Sequence, residues 1–131
     1  MSKKTFLVLL VLLLSACEAQ QQAMGLREAV LAKLQDDPDL KDYKLDPAKV
    51  ADCVVRAISD DAPGIPGDPR RDTYFKAYTH MLSVKTPTEA EQTLEQYKEF
   101  FGSQQGVREA ALKVTDHIMT CMGEAIEERG E

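Results

Sequence analysis

The chain predicts a small all-helical bundle of four or five helices tied by one disulfide. Three observations carry that expectation. Apolar residues recur at three- and four-residue spacing through most of residues 24–131, and no stretch alternates as a strand would. Capping residues and prolines mark helix starts, above all Asp46-Pro47 and the capping box Thr86-Pro87-Thr88-Glu89. The 131 residues are 44% hydrophobic and 29% charged, enough apolar material for the core of one domain.

Residues 1–16 read as an export signal. Lys3 and Lys4 give a positive start, and Phe6 to Leu14 is an unbroken apolar run of nine residues. Such a helix spans about 14 Å at ~1.5 Å per residue, roughly half the ~30 Å hydrocarbon core, so it is too short for a permanent span. The run ends in Leu14-Ser15-Ala16-Cys17, which resembles the lipobox of bacterial lipoproteins: Leu, two small residues, then Cys. The resemblance covers only the first seventeen residues. It implies cleavage between Ala16 and Cys17, where small residues let a protease reach the backbone. It also implies a diacylglyceryl group on the Cys17 sulfur and an acylated new amino terminus. Two or three chains together give stable anchoring where one does not. Glu18 stands where an Asp would imply inner-membrane retention in Gram-negative cells. The resemblance therefore implies the outer membrane, facing the periplasm, in a cell with two membranes.

Cleavage removes Lys3 and Lys4 and leaves 14 basic against 22 acidic residues, a net charge of −8. That charge disfavours lying flat on anionic lipid, so the acyl chains are expected to hold the protein while the domain projects. Residues 17–23 are the lipidated Cys and a polar tether (EAQQQA after Cys17), reaching at most about 20 Å. Residues 24–131 form the single helical domain.

The first helix is expected over Met24–Gln35, with Leu26, Val30 and Leu34 on one face and Asp36-Asp37-Pro38 as its stop. Residues 36–46 then read as a loop. The second helix runs Pro47–Ser59, capped by Asp46, with Val50, Cys53, Val54, Ala57 and Ile58 as its stripe. Residues 60–72 contain three prolines and two glycines and read as the longest loop. The third helix starts at Pro69 or Asp72 and runs to Ser83, with Tyr74, Phe75, Tyr78, Met81 and Leu82 inward. The fourth runs from the capping box to about Phe101, where Gly102 stops it. The fifth runs from Gln104 or Val107 to Glu128, with Val107, Ala110, Ala111, Val114, Ile118, Cys121, Met122 and Ala125 at helical spacing.

With Cys17 assigned to lipid, Cys53 and Cys121 remain, an even pair in an exported chain. Both lie in apolar stripes, and a bond between them would tie two helices across 68 residues. In the chain-entropy model that closure contributes roughly 4 kcal/mol. The competing use is a soft metal site from His117, Cys121 and Cys53, since His117 and Cys121 share a helical face at i, i+4. The paired-cysteine motifs of zinc sites and covalent haem are missing, so no metal or other cofactor is expected. An EF-hand register from Asp37 fails as well. It puts Lys41 at a ligand position, Asp42 where glycine is needed and Ala48 where the closing Glu belongs.

Catalysis is not expected. His117 and Cys121 would make a nucleophile and base only if the thiol were free, and no serine elbow, phosphate-cradling glycine loop or zinc-protease helix appears. An acidic chain without a basic stripe also argues against nucleic-acid binding, so no nucleic-acid partner is expected. Aromatic residues concentrate at Tyr74, Phe75, Tyr78, Tyr97, Phe100 and Phe101. Phe100 and Phe101 are adjacent and cannot both follow one stripe. One of them is the expected anchor for a protein partner, with Arg70 and Arg71 as a polar rim. The functional expectation is a lipid-anchored, non-catalytic adaptor for another envelope protein. Small helical lipoproteins that pilot secretion-channel subunits resemble this plan in architecture alone. The alternative is a periplasmic lipoprotein that binds a small molecule or a metal.

Overall fold

A computed structural model describes residues 24–130. The expected signal, the expected Ala16–Cys17 cleavage with lipidation of Cys17, and the expected tether all fall outside the described residues. Among those described, the chain forms six helices: α1 (24–34), α2 (Pro38–Asp42), α3 (Pro47–Asp60), α4 (Pro69–Ser83), α5 (Pro87–Tyr97) and α6 (Gln104–Glu127). They make the small all-α bundle with one disulfide that the sequence predicts. None of them is long and apolar enough to cross a membrane.

Each interior start has a local cause. Asp37, Asp46, Asp68 and Thr86 all sit in extended conformation ahead of a proline in the first turn, and each side chain accepts an N–H from that turn. Proline suits this place because its missing donor would be unsatisfied anyway. Thr86 and Glu89 form the reciprocal capping box. Ser103 caps α6 through the Gly106 N–H at 3.0 Å.

Two elements differ from the sequence expectation by more than one residue. Residues 36–46 hold the short helix α2 rather than a loop. Asp37-Pro38 ends one helix and begins the next, and the sequence pattern shows only the stop. α2 closes in a Schellman arrangement, with Leu45 N–H donating to Leu40 C=O at 2.9 Å and Lys44 N–H to Lys41 C=O at 3.1 Å. Leu40 and Leu45 are both buried beside this turn. Lys44 occupies the left-handed position, φ 52°, where glycine is usual. α5, in turn, ends at Tyr97 instead of about Phe101. The chain continues through turns to Gly102, which takes φ 83°.

The main core joins α1, α3, α4 and α6. Leu26, Val30 and Leu34 from α1 meet Val50, Ala51, Val54 and Ile58 from α3, and Ala110, Val114 and Cys121 from α6. The most extensive packing between two helices is α3 on α6. A second, smaller cluster of Ala77, Tyr97 and Val107 lies where α4, α5 and α6 meet. On α4 the buried stripe is Tyr74, Phe75, Ala77 and Tyr78, while Met81 and Leu82 stay partly exposed. Burial pushes the Tyr74 hydroxyl well above the ordinary phenol range and raises that of Tyr78, and Tyr74 donates to Tyr78 at 3.3 Å.

Candidate functional site

The α3–α6 seam carries the disulfide. Cys53 and Cys121 are bonded, with Cα atoms 5.8 Å apart. Cys121 is buried and Cys53 partly exposed, because Cys53 stands at the edge of its stripe. Around it opens a cleft of about 460 Å³ lined by charged side chains from both helices, among them Lys49, Asp52, Arg56 and Glu124. Asp52 is engaged by Arg27 at 2.6 Å, which ties α1 to α3. Arg129 donates to the Lys44 carbonyl at 2.9 Å and fastens the chain end to the α2 turn. Glu124 lies one helical turn beyond Cys121 and places a carboxylate oxygen 3.5 Å from Cys53 Sγ. A disulfide sulfur has no proton to donate, so this is a contact of carboxylate on sulfur and not a hydrogen bond.

The alternative metal set weighed from the sequence, His117 with Cys121 and Cys53, is not assembled. His117 Nε2 faces Asp61 at 3.2 Å, at the C-terminal end of α3. It does not join the cysteines, because the α3–α6 packing offers it a carboxylate first. The group that does gather at the cysteines is Cys53, Cys121 and Glu124, whose donor atoms lie within 4.8 Å of one another. With the two sulfurs bonded there are no thiolates to offer a metal, and thiolate is the ligating form.

A second candidate site lies between α4, α5 and α6. It is a groove of about 280 Å³ lined by Met81, Val84, Ala90, Leu94, Val107 and Ala111, with Thr93 and Arg108 at its edge. Met81 and Ala111 also line an adjoining hollow of about 140 Å³ that reaches Leu82, Val114 and Ile118. The cause is in the sequence of α5. That helix buries only Tyr97 and offers Ala90, Thr93 and Leu94 to the gap, so the space facing Met81 is not filled. Tyr97 is held in place by its hydroxyl, 2.8 Å from His80 Nδ1.

The expected partner surface is arranged differently. Phe100 and Phe101 are both partly buried against the main core, and Phe101 lies 6.3 Å from the Tyr74 ring and 6.4 Å from the Tyr78 ring. Neither is an exposed anchor. Arg71 is not a free rim residue either. It donates to the Ser59 and Ala62 carbonyls at 2.9 and 3.2 Å and lies over the Phe75 ring at 5.3 Å, so it caps the end of α3. Arg70 is exposed but paired with Asp68, the cap of its own helix, at 2.7 Å. The exposed large apolar residues on α6 are instead Leu112 and Met119, at 64% and 66% exposure. Their seven-residue spacing puts both on one face, a signal that the sequence contained but that the inward stripe overshadowed.

No family model, curated protein or solved structure matches the chain.

Proposed function

We propose that this chain is a lipid-anchored binding protein of the bacterial envelope. It takes a small, largely apolar molecule in the groove between α4, α5 and α6. The observation that carries the reading is the groove itself: six apolar side chains around about 280 Å³ that the protein does not fill. An apolar ligand there gains by leaving water, at roughly 25 cal/mol per Å² of apolar surface covered. In the larger cleft over the disulfide, charged groups share the lining, and the cost of taking their water offsets the gain from its apolar part. The groove lies just below the usual ~300–1,000 Å³ range for ligand pockets, which points to a compact ligand or a single chain. Arg108 in the lining supplies a cation to orient a polar end, while the Thr93 hydroxyl is spent on the Glu89 carbonyl at 2.8 Å. The anchor rests on Leu14-Ser15-Ala16-Cys17, whose lipidation mass spectrometry of the mature amino terminus tests directly.

The groove is tested with an environment-sensitive apolar dye. Ala111 is at the groove wall and on the exposed side of α6, so Ala111→Trp fills the space without a demand on the core. The expected result is saturable dye binding to the parent chain, lost in the variant at unchanged melting temperature. Equal binding by both would remove the groove as the site.

The adaptor reading has one observation in its favour, the exposed Leu112 and Met119 on a single face of α6. Its test is envelope crosslinking of a Leu112→Ser, Met119→Ser chain, since Phe100, Phe101 and Arg71 are committed within the fold.

A further inference from the structure

The α3–α6 seam holds a second feature that shares no lining residue with the groove. We propose that Cys53, Cys121 and Glu124 form a zinc site that exists only when the disulfide is reduced. The juxtaposition is specific. Two sulfurs on different helices and a carboxylate one turn beyond Cys121 bring three donor atoms within 4.8 Å. No described cation is ion-paired with Glu124, and its oxygen lies 3.5 Å from Cys53 Sγ, which offers it no proton. The adjoining cleft gives an ion and a water a route to the sulfurs.

Zinc suits this donor set better than its rivals. Two thiolates and one carboxylate leave a fourth tetrahedral position for water, and Zn–S bonds of ~2.3 Å place the two sulfurs about 3.8 Å apart. Side-chain rotation reaches that separation from backbones 5.8 Å apart at Cα. Copper(I) prefers an all-soft set, and calcium or magnesium an all-oxygen one.

The redox step balances as a thiol–disulfide exchange. A dithiol reductant gives two electrons and two protons. The Cys53–Cys121 bond breaks, the reductant's own S–S bond forms, and both protein sulfurs become thiols. Zinc then displaces the two thiol protons to solvent, so binding strengthens as pH rises. The seam therefore has two alternative cross-links, one covalent and one through the ion.

The test uses the purified full-length chain with Cys17→Ser, so that only these two thiols remain. It is reduced with a dithiol, freed of it without air, and titrated with cobalt(II) followed by zinc. The expected result is one thiolate–cobalt charge-transfer band at one ion per chain, abolished by zinc and missing in the oxidised chain. Glu124→Gln weakens binding tenfold or more, the least expected for a direct ligand, while His117→Ala leaves it unchanged. Circular dichroism of the reduced chain is recorded in parallel. Three results would each overturn the site: no band from a reduced chain that retains its helices, equal affinity in Glu124→Gln, or a reduced chain that loses its helices and does not regain them with zinc.

Discussion

The two seams of α6 are built on opposite plans. Against α3, the helix presents Ala110, Val114 and Cys121 to residues with almost no exposure, and a disulfide locks the contact. Against α4 and α5, it presents Val107 and Ala111 to small or partly exposed side chains, and a groove remains. The difference lies in what the partner brings. α3 carries four buried residues in 14, whereas α5 carries one in 11, so only one seam has the material to close. A filled, cross-linked seam holds the fold, and an underfilled one leaves room for a ligand.

The largest effect should come from cutting the cross-link. Replacing both cysteines by alanine is expected to lower stability by roughly 4 kcal/mol, read from urea unfolding without reductant. A loss below about 1 kcal/mol would mean that packing alone holds the α3–α6 seam. The second test compares the seams directly. Ile58 has 0% exposure, and Ile58→Ala should cost about 2–4 kcal/mol. Leu94 is only partly buried at the groove, so Leu94→Ala should cost about 1 kcal/mol or less. Equal losses would erase the distinction between a filled and an unfilled seam.

Smaller effects sharpen it at the connections. Lys44→Gly relieves the left-handed strain at the end of α2 while keeping the backbone carbonyl that Arg129 holds, and should raise stability by about 1 kcal/mol. At Gly64, φ 73°, a methyl group would collide with the Asp68 side chain, so Gly64→Ala should disturb the cap of α4 and lower the melting temperature. The smallest effect is expected in acid. The hydrogen bond from the Arg70 side chain, then that from its backbone, hold the Asp68 carboxyl below the ordinary range. Its stabilising share is complete above the unfolded carboxylate pKa of ~3.9 and is lost as pH falls through the lowered folded value. Asp68→Asn should flatten that part of the acid unfolding curve.

Much of this was legible locally. The caps Asp46 and Thr86, read from the sequence, act within three residues of themselves, so sequence order is nearly spatial order; Asp68 and Ser103 cap in the same local way but were not read as caps. α2 escaped because Asp37-Pro38 carries both a stop and a start, and five residues leave too short a stripe to show a period. Phe100, Phe101, Arg70 and Arg71 were legible as residue types worth weighing. Their commitment within the fold depends on Tyr74, Phe75, Ser59 and Asp68, some of them more than ten positions away.

By itself the sequence determined the all-helical class, the helix starts at Pro47 and Pro87 and the pairing of Cys53 with Cys121, since hydrophobic period, capping and cysteine number are local or countable properties. The tertiary structure alone decided that His117 meets Asp61 and that Glu124 meets Cys53, pairs separated by 56 and 71 residues. It alone decided that the space beside Met81 stays open. Those outcomes follow from how three helices cross and how well their side chains fill the volume between them, and neither is written in the periodicity of any one helix.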